Sequence, residues 1–314
     1  MEPYFTVLIS TKNRAEYLRA ALQSVFEQTF QDFEVVVVND ASTDHTAEVL
    51  SEFAVPRLMV INYNSNSLSG AARNRGIEVS KGQYVAFLDD DDTWMPNNRE
   101  RVAYVIESDP GVGLVCHDQQ YVRPKESGGG IWKRRSQYGP NDTYKGDIHD
   151  YMLLEGNQPA TSATVASRQH LVEIGGFSED PSLATVEDYD LWLRLSRVCR
   201  FVFVRDVLGT QRYHTSNTTG NVERHLRDSV SLLDENFRGR KSTGRQYPAH
   251  SIRRRYAIAY YGAARQHHRN GSTGASFATY LRALRTSPFY SRTYAGLGLL
   301  LIAVMGSVLR SRGK

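Results

Sequence analysis

The segment that decides the fold is Gln83–Asp92, QYVAFLDDDD, in which an apolar run of strand length ends in four consecutive aspartates. A run without polar alternation is typical of a strand buried on both faces of a parallel sheet. Adjacent carboxylates repel one another, and a hard divalent cation relieves that repulsion because it prefers oxygen ligands. The segment therefore predicts a metal site at the carboxyl end of a buried strand, where α/β sheets bind ligands. A solvated acidic turn is the alternative.

Apolar runs of similar length lie before this segment, separated by stretches in which apolar residues have helical spacing. In Ala15–Gln28, for example, Leu18, Leu22 and Val25 share one helical face. The predicted strands are 5–10, 33–38, 57–62 and 83–88, and the predicted helices are 15–28, 43–53 and 70–79. Such regular alternation predicts a layered α/β fold with a parallel sheet and right-handed crossovers.

The sequence from residue 112 onward is less regular. The strand-like runs are 112–122, 163–167 and 200–204, and 188–197 is predicted to be a helix. The polar, glycine-rich segment 123–146 is predicted to be a long loop, and loops of this length often carry function. After about Arg238 the pattern changes to helical segments rich in Arg, Tyr and Ala.

Three further polar groups accompany the predicted elements. Asp40 ends the run VVVVND, where it could accept hydrogen bonds from a nucleobase or ribose, although Ser42 or Thr43 could instead cap the next helix. Arg73, within SGAARNRG, could contact a diphosphate. The pair Glu187–Asp188 opens a predicted helix, where one carboxylate could be a general base or both could serve only the helix dipole.

These motifs, in this order, resemble glycosyltransferase family 2, whose members share the GT-A fold. The resemblance covers roughly residues 4–215. It is carried by LISTKNRAEYLRAALQSVFEQTFQDFEVVVVNDASTD (8–44), by GAARNRGI with GQYVAFLDDDDTWMP (70–96), and by IGGFSEDPSLATVEDYDLWLRL (174–195). It implies a Rossmann-like GT-A domain that moves a sugar from a nucleotide diphosphate to an acceptor hydroxyl with inversion at the anomeric carbon.

The resemblance also implies where the nucleotide and its metal bind. The residues expected to border the nucleotide are Thr11, Asn13, Arg14, Asp40, Arg73 and Asp90, with Asp40 pairing with the base. Asp89 and Asp91 match the outer positions of the family's D-x-D motif, which implies Mg²⁺ or Mn²⁺ as the cofactor. The run of four aspartates leaves the choice of ligand ambiguous by one residue. His214 resembles a family histidine near the diphosphate, which makes it a candidate metal ligand or a surface or core histidine.

Catalysis is assigned by the same resemblance. Asp188 matches the family's catalytic base, with Glu187 beside it, and Trp94 is expected to border the donor sugar. The expected donor is a nucleotide-diphosphate sugar, with UDP as the first choice and dTDP or GDP as the others.

The charge of the chain is divided unevenly along its length. Residues 236–314 hold 15 of the 38 Lys and Arg residues and none of the 34 Asp and Glu residues, so an acidic body precedes a basic tail. We therefore expect two domains, a GT-A catalytic domain at 1–235 and a basic helical region at 236–314. A basic tail suggests an anionic partner, either a membrane surface or nucleic acid.

The apolar run Ala295–Leu309 favours the membrane. Its 15 residues are short for a bilayer span, which needs about 20, so we expect an interfacial or partly inserted helix, with packing on the catalytic domain as the alternative. Only two cysteines occur and no secretory signal is evident, which favours a reducing compartment. The predicted location is the cytoplasmic face of a membrane, and the predicted acceptor is a saccharide or lipid-linked saccharide of cell-surface polysaccharide synthesis.

Two other functions fit parts of the sequence. A nucleotidyltransferase would also use a metal and carboxylates, but LISTKNRAEYL does not look like the glycine-rich basic signature such enzymes usually carry. A nucleic-acid-binding protein could use the basic tail, but the acidic body and the lack of a recognised reading motif argue against it, so no nucleic-acid partner is expected.

Overall fold

The computed structural model describes residues 2–63, 68–123, 130–133, 147–212, 221–239 and 243–312. The chain forms two compact units. The first comprises Met1–His149 and Asn157–Asn217, and the second comprises Asp150–Gly156 and Thr218–Lys314. This division follows compactness, and the boundary expected from charge, between residues 235 and 236, stays a prediction.

The first unit is built on a single mixed sheet. Its strands are β1 (Phe5–Thr11), β2 (Phe33–Asp40), β3 (Leu58–Tyr63), β4 (Tyr84–Asp89), β5 (Thr93–Trp94), β6 (Val112–Arg123), β7 (Gly130–Lys133), β8 (Thr164–Ser167) and β9 (Arg200–Arg212). They lie in the order β3-β2-β1-β4-β8-β6-β9-β5, and β7 pairs with β6. The first four are parallel, whereas β8 runs antiparallel to both β4 and β6. The predicted parallel sheet therefore forms one part of a larger mixed sheet.

The sequence explains why β1, β2 and β4 are central. Their apolar residues alternate between two covered faces, and Val7, Ile9, Val35, Val37 and Ala86 are all fully buried. The helices of this unit are α1 (Ala15–Phe26), α2 (Thr46–Glu52), α3 (Ser69–Val79), α4 (Asn98–Ser108), α6 (Arg168–Glu173) and α7 (Glu187–Leu195), and α5 (Ile148–Glu155) begins in it. They cover the apolar strands, as expected for a layered α/β domain.

The prediction that 123–146 forms a long loop is wrong at one segment. Gly130–Lys133 forms β7, whose residues pair antiparallel with 120–123 of β6. The sequence Ile131-Trp132 explains this, because β-branched and aromatic residues have high strand propensity. Residues 124–129 and 134–146 of that segment lie outside the described residues.

The second unit is helical. Besides most of α5 it contains α8 (Val222–Phe237), α9 (Ala249–Arg269), α10 (Thr273–Thr286) and α11 (Ser291–Arg312). One apolar cluster joins α8, α9 and α10, and a second consists of Ala264, Tyr280 and Leu300. Gly296 lets α11 approach α10, since a Cβ there would lie 2.6 Å from the Tyr280 ring. No helix in the described ranges combines the length and apolar character needed to cross a bilayer.

Candidate functional site

The aspartate segment lies where the strand order of the sheet reverses. The chain runs from β1 outward to β2 and β3, and then returns to place β4 on the other side of β1. At such a switch point the loops after the two central strands diverge and leave a crevice that binds ligands in open α/β sheets. The turn Asp89–Asp92, which follows β4, therefore lies beside Thr11–Arg14, which follows β1.

Side chains after β1 contact the aspartates directly. Thr11 Oγ1 donates to Asp90 Oδ2 at 2.8 Å, and Arg14 Nη1 lies 3.0 Å from Asp90 Oδ1 and 2.9 Å from Asp91 Oδ2. Burial raises the pKa of Asp90 to about 6, although Arg14 and Thr11 act to lower it. Thr11, Arg14 and Asp90, all expected near the nucleotide, thus form one hydrogen-bonded group. Their contact with a nucleotide stays a prediction.

Three of the four aspartates could hold a divalent cation together. One carboxylate oxygen each from Asp89, Asp91 and Asp92 lies within 4.8 Å of the others, a spacing that suits hard oxygen ligands around one ion. Burial raises the pKa of Asp92 well above its usual range, and the nearby Asp89 and Asp91 raise it further. A bound cation would remove this repulsion, so the donor set fits Mg²⁺ or Mn²⁺. Asp89 and Asp91 were expected as ligands, whereas Asp92 was not.

Arg73 connects the aspartate turn to the second carboxylate group. Its Nη2 lies 2.7 Å from Asp89 Oδ1, and its Nη1 lies 2.9 Å from Glu187 Oε1. The guanidinium also lies over the Phe177 ring, 5.4 Å from its centroid. Arg73 therefore contacts protein carboxylates on two sides. Its contact with a nucleotide stays a prediction.

Glu187 and Asp188 open α7 and differ in their surroundings. Glu187 is buried, and burial raises its pKa to about 7 despite the opposing effect of Arg73. Asp188 is half-buried. Its Oδ2 accepts from Asn157 Nδ2 at 3.1 Å and its Oδ1 accepts from the Tyr189 N–H at 2.6 Å. Desolvation raises the pKa of Asp188, which suits a carboxylate that must take a proton near neutral pH.

The loops after β1 and β2 are fastened to each other. Asn13 Oδ1 accepts from the Thr43 N–H at 2.6 Å, and the Asn13 N–H donates to Ser42 Oγ at 3.0 Å. Asn13 and Ala41 both have left-handed backbone, with φ of 53° and 55°. Asp40 is buried at the end of β2, with Lys12 Nζ 3.5 Å from its Oδ2. The expected base-binding residues therefore share one pair of loops with the aspartate crevice.

Trp94 and His214 stand apart from the other expected residues. Trp94 is only 5% exposed, and its Nε1 donates to the Ser162 carbonyl at 2.7 Å. The structure thus gives Trp94 a packing role beneath the aspartate turn, and its contact with a donor sugar stays a prediction. His214 lies outside the described residues.

Sequence reasoning missed three residues that contact this site: Asp92, Asn157 and Ser162. Asp92 could have been included as the last member of the aspartate run. Asn157 and Ser162 reach Asp188 and Asp89 from 31 and 73 residues away, and no local pattern marks them.

Comparison with known proteins identifies similar sequences. A family model described as "Glycosyl transferase family 2" matches residues 6–154. The putative glycosyltransferase EpsH of Bacillus subtilis (strain 168) is 35% identical over 241 residues, 74% of this chain and 67% of that protein. An uncharacterized glycosyltransferase of Haemophilus influenzae is 26% identical over 81% of this chain and 83% of its own length. The match to a Rickettsia felis uncharacterized glycosyltransferase, 29% identical over 71% of this chain, spans only 36% of that longer protein.

Solved structures share the fold. The crystal structure of S. aureus TarS 1–349 in complex with UDP-GlcNAc has a TM-score of 0.61 at 17% identity, covering 93% of this chain and 83% of that one. The mannosyltransferase PcManGT from Pyrobaculum calidifontis in complex with GDP-Man and Mn²⁺ has a TM-score of 0.59 at 19% identity, covering 96% and 81%. These likenesses confirm the predicted α/β class and GT-A fold.

Proposed function

Because the chain belongs to glycosyltransferase family 2, we propose that it transfers a sugar from a nucleotide-diphosphate sugar to an acceptor hydroxyl with inversion at the anomeric carbon. The observation that carries this proposal is the double contact of Arg73. One guanidinium touches both Asp89 and Glu187, the neighbour of the candidate base Asp188, so the aspartate cluster and the carboxylates of α7 share one site. A donor diphosphate at the aspartates would therefore place its sugar near the carboxylates of α7.

The chain's own groups suit an inverting displacement. Asp188 takes the proton from the acceptor hydroxyl as that oxygen attacks, while Asn157 and the Tyr189 N–H hold the carboxylate in position. General-base help of this kind contributes about 10²–10⁴-fold. Glu187, paired with Arg73, keeps that guanidinium in place beside the base. Asp89, Asp91 and Asp92 would hold a divalent cation, which when bound neutralises charge that develops on the departing diphosphate.

The nucleotide would lie against the loops after β1 and β2. Asp40 accepts from the base or ribose, and Thr11, Asn13 and Arg14 border it. UDP is the first choice and is the nucleotide carried by the TarS complex, while GDP is carried by the mannosyltransferase complex and dTDP remains a third possibility.

The helix α11 supports a membrane partner. Leu299, Leu301, Ile302 and Met305 are 53–68% exposed, and the nearest charged residues along the chain are Arg292 and Arg310. Large exposed apolar patches mark interaction surfaces, and a basic region with an apolar helix provides two signals for an anionic membrane. We assign this surface to the cytoplasmic face of a membrane and the acceptor to a saccharide or lipid-linked saccharide of cell-surface polysaccharide synthesis.

The test is a screen of UDP-, GDP- and dTDP-sugars with added Mn²⁺ or Mg²⁺, or with a chelator, measuring release of nucleoside diphosphate. We expect metal-dependent release from one donor, and we expect Asp188→Asn to reduce it about 10²–10⁴-fold while calorimetry shows unchanged UDP affinity. Asp180→Asn, in the exposed loop before α7, is the matched control and should keep full turnover.

Two outcomes contradict the proposal. Release of pyrophosphate in place of nucleoside diphosphate would indicate a nucleotidyltransferase. Absence of binding and turnover with every donor, whether or not a divalent ion is supplied, would remove the transferase assignment for this chain.

A further inference from the structure

Ser162 lies beneath the aspartate turn and is joined to it by side-chain and backbone contacts. It belongs to a short 3₁₀ turn, Thr161–Ala163, that leads into β8 beside β4. The residue is 2% exposed. A buried hydroxyl needs hydrogen-bond partners, and the identity of those partners shows what Ser162 holds in place.

The first partner is the backbone of a candidate metal ligand. The Asp89 N–H donates to Ser162 Oγ at 3.0 Å across 73 residues of sequence. The Ser162 oxygen thus holds the backbone of one of the three candidate ligands in place.

The second partner fixes Ser162 from the opposite side. Trp94 Nε1 donates to the Ser162 carbonyl at 2.7 Å. The Trp94 ring is held in turn by Arg99, whose guanidinium carbon lies 3.9 Å from the ring centroid. Both Trp94 and Arg99 are buried, so the indole has little freedom to move away. Ser162 is therefore anchored through its backbone while its side chain accepts from the Asp89 N–H.

The neighbouring Thr164 shows that this arrangement is not a general property of the segment. Thr164 is also buried, at 1% exposure, but its Oγ1 donates to the carbonyl of Ala160, four residues earlier. That bond is local and reaches none of the aspartates. The two hydroxyls, two residues apart, therefore differ in whether they contact the candidate ligands.

We propose that Ser162 is a positioning residue for the divalent-cation site, and that it orients Asp89 by accepting a hydrogen bond from that aspartate's N–H. This inference rests on the proposed function, since it requires that the aspartates bind a cation. Partners that orient ligating carboxylates typically contribute about 10–100-fold to metal affinity or activity. The same loss is expected when the Ser162 hydroxyl is removed.

The experiment measures Mn²⁺ binding to the full chain by electron paramagnetic resonance, without any sugar donor. Ser162→Ala removes the hydroxyl, and Thr164→Val is the matched control that removes a buried hydroxyl from the same segment. We expect Ser162→Ala to weaken Mn²⁺ binding about 10–100-fold. Thr164→Val should bind Mn²⁺ within about twofold of the unmodified chain, because its hydroxyl touches no ligand. Trp94→Phe, which keeps a ring but loses the N–H, should show a smaller loss than Ser162→Ala.

The outcomes distinguish failure of the cation site from failure of the role proposed for Ser162. If the unmodified chain binds no Mn²⁺, the cation site itself is wrong and the transferase proposal loses its metal. If the unmodified chain binds Mn²⁺ and Ser162→Ala binds it equally well, only the role of Ser162 is wrong. Equal losses in Ser162→Ala and Thr164→Val would also overturn it, because they would indicate a general effect of the segment on folding. Should Ser162→Ala fail to fold, unchanged Mn²⁺ affinity in Trp94→Phe would overturn the proposal and a measurable loss would support it.

Discussion

Arg73 and Glu187 form an ion pair, with 2.9 Å between Nη1 and Oε1, although 114 residues separate them in the sequence. Both side chains are 11% exposed. Removing one partner of such a pair leaves the other charge uncompensated, which typically costs about 3–5 kcal/mol. We therefore expect Arg73→Gln to lower the free energy of unfolding by about 3 kcal/mol, measured by urea denaturation.

Arg75 is the matched control for this prediction. It lies on the same helix and pairs with Glu78, but both side chains are exposed, at 42% and 59%. Exposed pairs contribute about 0–1 kcal/mol, so Arg75→Gln should change stability by less than about 1 kcal/mol. Equal losses in the two variants would show that the Arg73 pair has no special weight.

The ionisation of Asp188 predicts an acid limit to activity. A base works only when ionised, and burial raises the pKa of Asp188, so kcat/KM should fall as the pH drops at values above the usual Asp pKa of about 3.9. The charged groups around it include Arg73, which lowers the pKa, Asp89, which raises it, and the adjacent Glu187.

Asn157 provides the internal check of that pH profile. Its hydrogen bond to Asp188 acts to lower the pKa, so Asn157→Ala should move the acid limb to higher pH. A limb that stays in place in this variant, or one centred on an ordinary carboxyl pKa, would argue against Asp188 as the base.

Arg99 predicts a gain in stability on substitution. Its side chain is fully buried, its Nε and Nη1 have no hydrogen-bond partner among the residues that the structure describes, and burial lowers its pKa to about 9. Buried donors left unpaired cost about 1–3 kcal/mol, so Arg99→Met should raise the free energy of unfolding by a similar amount. The thioether can still pack on Trp94.

Arg101, two residues along α4 from Arg99, is the surface comparison on the same helix. It pairs with Asp206 at the surface, with both side chains at least 40% exposed. Arg101→Met should leave stability within about 1 kcal/mol of the starting value. Loss of stability in Arg99→Met would mean that the guanidinium, which donates to Asn98 and lies over the Trp94 ring, holds that side of the core together.

Replacing apolar residues on the exposed face of α11 should weaken membrane binding. Leu299 and Ile302 are 60% and 68% exposed, and burying apolar area in a membrane interface is favourable by about 25 cal/mol per Å². We expect the double variant Leu299→Ser/Ile302→Ser to bind vesicles containing anionic lipid at least about tenfold more weakly. Co-sedimentation over a range of lipid concentrations measures this.

Val172 offers a control for general surface hydrophobicity. It is 56% exposed but belongs to α6 in the first unit. Val172→Ser should leave vesicle binding unchanged. If the double variant of α11 binds as well as the unmodified chain, the membrane assignment of this helix is wrong.

Much of the fold could be predicted because its signals are local. The apolar runs of β1, β2 and β4 and the aspartates after β4 are visible in the sequence, and the structure places these three strands within a residue or two of their predictions, whereas β9 runs eight residues beyond the predicted 200–204. The local nature of these signals also explains the error at β7. Its four residues lie inside a segment dominated by polar and glycine residues, which hides the strand pattern.

The contacts that organise the site could not be predicted in the same way. Arg14 reaches Asp90 and Asp91 across 76 and 77 residues, and Ser162 reaches Asp89 across 73. Such pairings depend on strand order and register, which periodicity does not specify. Burial of Trp94 was missed for the same reason, since its position beyond the aspartates says nothing of what packs over it.

The second unit is built from two separate parts of the chain, so its contacts can form only after the later part has been synthesised. Asp150 and Glu155 lie in its early segment and pair with Arg245 and Arg254 of its late one. A ribosome that has released Glu155 must add roughly another hundred residues before Arg254 emerges, which takes on the order of 5–20 s. During that interval Asp150 and Glu155 lack their basic partners. The first unit, whose residues end at 217, can therefore fold while segment 150–156 of the second unit is still unpaired with Arg245 and Arg254.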